Sequence, residues 1–340
     1  MIQHIDRKRL YFKDGYTYLN RNMIDLNISK NMYESLLNSF NRNGLNQYPD
    51  MSRIYNILGE YLDICPDNLC ITRGVEGSIK RVFETLNLEG STVAITTPNY
   101  AMYQVYAKMY NTNVITISTQ GPDHQLSVNE IKSVIPHVKV LFLDNPKLHM
   151  PNCFNYVEIE EILSLCEKHN VILFLDEVYA GWEYNSYLSQ CKDKFSDNLI
   201  ISSGFSKLGF PGIKSGWMIT GDKLKKCLDT TRLSYELDYF SCATLEFLIK
   251  NINYIDTQKQ RILNIKNKWY DKFLSSKIFK VFDSASFVLR LYSEDSTIIH
   301  DTYNSLYNEK IVLNLATDND LTFSVTTDKK IEKKLLKIIK

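Results

Sequence analysis

Residues 199–220 read LIISSGFSKLGFPGIKSGWMIT. The β-branched run Leu199-Ile200-Ile201 leads into Ser202-Ser203-Gly204-Phe205-Ser206-Lys207. A turn-prone Gly209-Phe210-Pro211-Gly212 follows, then Lys214, then a second strand-like run, Gly216-Trp217-Met218-Ile219-Thr220. One lysine on a polar loop between two buried strands suits a Schiff base, because a lysine amine becomes nucleophilic when burial or a neighbouring cation lowers its pKa. Lys214, seven residues on, is such a cation and could also hold a phosphate. Ser-Lys taken alone is equally a solvated loop lysine, so the decision rests on what the chain brings to the same place.

Upstream, Val171-Ile172-Leu173-Phe174-Leu175 is a continuous apolar run, as expected of a buried parallel strand. It delivers Asp176-Glu177-Val178-Tyr179. A carboxylate on a buried strand end needs a positive partner. The interval from Asp176 to Lys207 has room for one helix and one strand, which returns Lys207 to the same strand-end face. Further strands are expected near 69, 92, 114 and 138. Helices are expected over 31–45, 52–62, 79–86, 127–135 and 156–168, with Ser127 and Glu130 forming a capping box. Seven strands alternating with helices give an α/β fold with a mainly parallel sheet covered by helices. Ligands in such sheets bind outside the carboxyl ends of the strands.

After about residue 235 the pattern changes. A long helix is expected over 243–274, strands over 286–291 and 321–325, and helices over 301–308 and 329–339. The expected organisation is an N-terminal segment (1–30) packing on a small α+β domain (236–340), with a large domain (31–235) carrying the site. With 340 residues, 44% of them apolar, the chain can bury a sizeable core. A net charge of +1 gives no reason to expect nucleic acid or an anionic membrane as partner. No window approaches the ~18 uninterrupted apolar residues of a membrane span, and the N-terminus has no apolar signal-peptide core. The seven cysteines include no C-x-x-C pair, and no Cys/His cluster supplies four metal ligands. They read as reduced core residues of a cytoplasmic protein.

Gly204 to Gly216 resembles the lysine signature of fold-type I pyridoxal-phosphate (PLP) enzymes, S-x-S-K-x-x-G-x-P-G-x-R-x-G. Gly204 stands where the family has Ser or Thr, and Lys214 where it has Arg. Asp176-Glu177-Val178-Tyr179 matches the family's D-E-x-Y. The resemblance covers nearly the whole chain and is to class I/II aminotransferases, nearest the histidinol-phosphate aminotransferase branch. It implies PLP as cofactor, a homodimer with shared active sites, and small-molecule amino donors and acceptors. It also assigns roles. Lys207 would hold the cofactor and shuttle the proton between Cα and C4′, Asp176 would face the pyridine nitrogen, and Tyr179 would donate to O3′. Thr97-Pro98-Asn99-Tyr100-Ala101-Met102-Tyr103 resembles P-T-Y-x-M-Y, which lays Tyr100 on the ring. Arg73-Gly74-Val75-Glu76 resembles the glycine turn whose backbone, at Val75 and Glu76, binds the phosphate with Ser206 and Lys214. Tyr48, in Tyr48-Pro49-Asp50, would reach the neighbouring subunit's phosphate, and Asn22, in Leu19-Asn20-Arg21-Asn22, would face the substrate.

Two departures matter. The family's N-P-x-N-P-T-G reads Asn145-Pro146-Lys147-Leu148-His149-Met150-Pro151 here. Leu148 occupies the place of the O3′-binding Asn, leaving Asn145 as the candidate substitute, and His149 could face the substrate. The family's C-terminal R-[IL]-[ST]-[VI]-G-T, whose Arg pairs bidentately with the substrate carboxylate, reads Thr322-Phe323-Ser324-Val325-Thr326-Thr327. Strand alternation puts Ser286, Val288 and Arg290 on one face, and the resemblance implies that the Ser286 position lies next to the substrate, so Arg290 is the candidate replacement. The expected function is a PLP-dependent aminotransferase acting on a small amine or amino acid, with phosphorylated substrates and those lacking an α-carboxylate included. A PLP-dependent decarboxylase or lyase, of the phospho-amino-acid decarboxylase type, is the alternative, and a non-catalytic PLP-fold protein is a third.

Overall fold

The structure is a computed structural model. It describes residue 5, residues 11–24, 26, 28–147, 153–191 and 195–339. Thirteen strands and eleven α-helices are defined among them. In chain order they begin β1 (Thr17–Tyr18), α1 (Lys30–Ser39), α2 (Met51–Leu62), β2 (Leu69–Thr72) and α3 (Gly74–Thr85). Next come β3 (Thr92–Thr97), α4 (Met102–Met109), β4 (Asn113–Ser118), α5 (Val128–Val134), β5 (Val140–Asp144), α6 (Tyr156–Lys168) and β6 (Ile172–Asp176). Then follow β7 (Leu199–Gly204), β8 (Gly216–Thr220), α7 (Asp222–Asp229), α8 (Tyr239–Lys250) and α9 (Ile252–Phe273). The C-terminal part holds β9 (Lys280–Phe282), β10 (Val288–Tyr292), α10 (Ser296–Asn308), β11 (Ile311–Val312), β12 (Asn314–Thr317), β13 (Asp320–Ser324) and α11 (Lys329–Ile339).

The seven strands expected from the apolar runs form one sheet in the order β2-β8-β7-β6-β5-β3-β4. β8 alone runs against its neighbours. Its first residue therefore lies beside the last residues of β2 and β7, with Gly216 opposite Thr72 and Gly204. The loops after β2, β3, β5, β6 and β7 and the loop before β8 all meet at this edge. Buried residues on the two faces belong to two separate hydrophobic clusters, as expected of a sheet covered on both sides. The fold is PLP fold type I.

A second, antiparallel sheet has the order β12-β13-β10-β9. β1 pairs parallel with β11, and Ser324 donates its N–H to Leu19 O at 3.0 Å. The N-terminal segment is thus tied to the C-terminal part before it crosses to the large sheet.

Several boundaries differ from expectation. The helix expected over 31–45 ends at Ser39, because Phe40 turns extended and stacks edge-on against Phe240; a 3-10 turn follows over 42–46. α3 begins at Gly74 rather than Ile79, so the glycine turn is itself the first turn of the helix. The helix expected over 243–274 is two helices that break at Asn251, whose amide donates back to Phe247 O. β9, β11 and β12 were not expected; each has two to four residues, too few to show a strand period. The capping box at Ser127 and Glu130 is present, and Asn155 with Glu158 forms a second.

Candidate active site

Lys207 sits in a short 3-10 turn directly after β7. Its Nζ donates to Asn22 O at 3.2 Å and Arg21 O at 3.3 Å, and lies 5.6 Å from the centre of the Tyr179 ring. Asn22, in the left-handed region at φ 49°, donates Nδ2–H to Tyr179 OH at 3.1 Å. Asparagine tolerates that backbone better than most residues. The N-terminal segment therefore closes over the lysine, and Lys207, Tyr179 and Asn22 form one contact set. Burial pushes the Lys207 amine down to about 8; the Asp176 charge opposes the shift and Lys214 adds to it. Lys214 is itself left-handed at φ 48°, a conformation that costs a residue with a Cβ roughly 1 kcal/mol or more.

Asp176 ends β6 beside Asp144, the last residue of β5; the two are register partners in adjacent parallel strands. Asp176 is buried. Its Oδ1 accepts from Val178 N–H at 3.0 Å and its Oδ2 contacts Tyr103 OH at 2.7 Å. The same hydroxyl contacts Asp144 Oδ1 at 2.8 Å. Burial and the neighbouring Asp144 charge raise Asp176 to about 7. Tyr103 comes from α4 and is fully buried, so its own ionisation is pushed far up. Neither Tyr103 nor Asp144 was singled out from the sequence. A signal was present: V-L-F-L-D at 140–144 and I-L-F-L-D at 172–176 are near-identical strands ending in Asp. Adjacent and parallel, they set the two carboxylates side by side.

Glu177, the second acid of the motif, points away from Lys207. It accepts from Tyr187 N–H at 2.6 Å and from the Ser186 hydroxyl, and so anchors the loop that follows. Tyr100 lies at the mouth, 45% exposed, with its ring edge-on to Tyr103 at 6.2 Å.

The phosphate end is built by close approach of backbones. A Cβ on Gly216 would stand 2.7 Å from Gly74 Cα, and one on Gly204 would stand 2.7 Å from Ser215 O. Only glycine fits at both places, which explains why Gly204 replaces the family's Ser or Thr. α3 thereby begins against β8. Arg73 at its N-cap makes no side-chain cap, so the N–H groups of Gly74 and Val75 are not capped by it and form the positive end of the helix dipole. Glu76 accepts from Tyr106 OH at 3.2 Å. Ser206 is half-buried beside Lys207, and Lys214 is exposed.

Two expectations are corrected. Asn145 was expected to take over the O3′ contact, but its Nδ2 donates to Phe154 O and Tyr184 OH, both at 2.9 Å. Its Oδ1 accepts from Phe154 N–H at 2.9 Å. Both amide protons are used, so Asn145 fixes the chain after the 148–152 stretch and has no donor left for a ligand. Arg290 was expected to face the substrate. It is buried, donates to Asp320 Oδ1 at 2.8 Å and to Pro122 O, and stacks 4.0 Å from the centre of the Phe282 ring. Asp320 also accepts from Thr317 and lies 3.3 Å from His124 Nε2. Arg290 thus locks the small sheet to the 119–125 turn. Thr322, opposite Arg290 in the sheet, is bonded by Asn314 Nδ2 at 3.1 Å. Tyr48 is 79% exposed and stacks on Tyr235 at 4.3 Å, with no contact to the Lys207 set. Leu148 and His149 lie outside the described residues.

The family model for aminotransferase class I and II matches residues 19–335. The chain belongs to the class I and II aminotransferase family. The histidinol-phosphate aminotransferase of Christiangramia forsetii is 26% identical over 318 residues, covering 88% of this chain and 86% of that protein. Among solved structures, the histidinol-phosphate aminotransferase from Clostridium acetobutylicum superposes with a TM-score of 0.82 at 20% identity, over 95% of this chain and 97% of that one. The L-threonine-O-3-phosphate decarboxylase from Porphyromonas gingivalis superposes at 0.77 with 14% identity, over 95% and 98%. The aminotransferase motifs of this chain, from Asp176 to Lys214, all fall at one edge of its large sheet.

Proposed function

We propose that this chain is a PLP-dependent aminotransferase for a small amine or amino acid, phosphorylated amines among them. The observation that carries the reading is the pairing of Lys207, its amine lowered to about 8, with the buried acid Asp176 at the ends of neighbouring parallel strands. Three features suit the cofactor. Neither hydrogen-bond partner of Asp176 is a cation, which leaves its charge for a pyridinium N–H. The Ser215 hydroxyl, between Lys214 and Gly216, is buried without a hydrogen-bond partner. The Gly74 turn offers backbone N–H groups to a phosphate. Asp176 would hold the ring nitrogen, Tyr100 the ring face, Tyr179 the ring hydroxyl, and Val75, Glu76, Ser206 and Lys214 the phosphate. When bound, PLP supplies an electron sink for the pair left at Cα. Lys207 Nζ, poised to gain and lose a proton near neutral pH, serves as the acid and base at the substrate Cα.

The position of the family's C-terminal arginine is neutral here. Thr322 with Asn314 replaces a cation, and Arg290 is spent on Asp320. This favours substrates whose anionic group, if any, is not an α-carboxylate at that position. Histidinol-phosphate aminotransferase is the name of several relatives, and a phosphorylated amino alcohol meets that description. All seven cysteines are free, which supports a reducing, cytoplasmic location. A homodimer is supported by α1, which buries no side chain, and by the exposed apolar residues Tyr33, Leu37, Leu45 and Phe240 around it.

The test is a screen of primary amines and amino acids with a keto-acid acceptor, following carbonyl product and CO2 together. Carbonyl product with transfer of the amino group is expected. Release of CO2 with retention of the amine would replace the reading by decarboxylation.

A further inference from the structure

The contact set around Asp176 holds more acid than a cofactor partner requires. Asp144 and Asp176 are neighbours across two parallel strands, and a single hydroxyl, that of Tyr103, lies within hydrogen-bond distance of both. A tyrosine hydroxyl has one proton to donate. If both carboxylates were ionised, one would face the oxygen's lone pairs across less than 3 Å. The array is satisfied when one extra proton is present: one carboxyl donates to the Tyr103 oxygen, and Tyr103 donates to the other. Neighbouring carboxylates oppose each other's ionisation, so a charge on Asp144 favours the protonated form of Asp176.

We propose that Asp144 and Asp176 share one proton through Tyr103, and that Asp144 is a positioning residue that sets the pH at which Asp176 becomes the anion facing the cofactor's ring nitrogen. The inference rests on the reading of the site as a PLP site. Other groups act on the pair. Lys147, buried after β5 with its Nζ on Pro98 O at 3.0 Å, favours the charged form of Asp144. Glu177 raises Asp176, and Tyr179 and Lys207 face it from the loops after β6 and β7. Tyr103 and Asp144 push Asp176 in opposite directions: the hydroxyl lowers it and the Asp144 charge raises it. Asp144 is half-buried and lines a cavity of about 600 Å³ with Asn145, Tyr184, Glu158, Glu183 and Asp283.

Opposite signs make the idea testable. Asp144→Asn keeps the shape and removes the like charge; Tyr103→Phe keeps the ring and removes the shared donor. The experiment measures PLP affinity by equilibrium dialysis from pH 5.5 to 8.5 for the unaltered chain and both variants. Titrations of the cofactor and of Lys207 are common to all three and cancel in the comparison. In the unaltered chain, affinity is expected to fall as pH drops through the Asp176 transition. Asp144→Asn should move that fall down by roughly one pH unit or more, and Tyr103→Phe should move it up. Coincident midpoints, or both variants moving the same way, would overturn the proposal, whereas absence of PLP binding at every pH would overturn the site reading instead. Should either variant not fold, carboxyl carbon-13 titration of the unaltered, cofactor-free chain gives the same decision. Two Asp carboxyls titrating in separated steps, one near neutrality, support the shared proton; Asp signals all titrating near 4 would overturn it.

Discussion

At the scale of single residues, the site is a set of ionisable groups moved from their ordinary ranges by burial. Glu177 is the clearest case outside the cofactor contacts. Burial raises it to about 7, opposed by hydrogen bonds from Ser186, Tyr187 and Leu188. The folded chain keeps this proton up to about pH 7, while the unfolded chain loses it near the ordinary glutamate value of 4.5. Across that window the unfolded state binds fewer protons, so this group's contribution to stability falls as pH rises. Glu177→Gln removes the penalty. Its stability relative to the unaltered chain should improve between pH 5 and pH 8, by on the order of 2–3 kcal/mol. Urea unfolding of the cofactor-free proteins at both pH values checks this; an unchanged difference would mean that Glu177 is already ionised when folded. Arg290 gives the second residue-scale test. Because it is paired with Asp320 inside the small sheet, Arg290→Ala leaves a buried carboxylate and should cost about 3–5 kcal/mol, read as a lower denaturant midpoint. A tenfold rise in KM with unchanged stability would return Arg290 to the substrate site.

At the scale of elements, glycine contacts decide where α3 begins. Gly216 touches Gly74 so closely that an added methyl must displace one backbone or the other. Gly216→Ala should therefore weaken PLP affinity at least tenfold, because the first turn of α3 and Ser215 would no longer approach the same phosphate. Equilibrium dialysis against PLP measures it, with Gly212→Ala as control, since a Cβ at Gly212 meets nothing within 4 Å. This scale also separates what the sequence could and could not tell. Long apolar runs such as Ile172–Leu175 and capped helices such as α5 and α6 carry their own period and boundary signals, so all seven strands of the large sheet were legible. The break at Asn251 was not, because a single Asn between two apolar helical runs has no strong stop signal. That Asp176, Tyr179 and Lys207 come together at one edge of the sheet was legible from spacing and resemblance. Tyr103 and Asp144 were not, because their role exists only once β5 and β6 lie side by side. Asn145 and Arg290 were misjudged for a related reason: a polar residue at the right position is available to a ligand only if its donors are free, and tertiary partners decide that.

At the scale of the whole molecule, no residue of α1 is buried among the described residues, and Tyr48 is 79% exposed with only Tyr235 stacked on its ring. If a second copy covers this surface and Tyr48 serves its neighbour's site, two inactive chains should complement each other. Mixing Lys207→Ala with Tyr48→Ala under conditions of subunit exchange is expected to restore up to about a quarter of the activity, through hybrid dimers with one intact site. No restoration despite verified exchange would confine Tyr48 to the surface of its own chain. The account as a whole stands on Lys207 as the cofactor's anchor. The most direct measurement is borohydride reduction of the PLP-loaded chain followed by peptide mass mapping. A single reduced pyridoxyl-phosphate adduct on Lys207, absent in Lys207→Ala, is the expected result. An adduct on Lys214 or another lysine, or no adduct at all, would contradict the account.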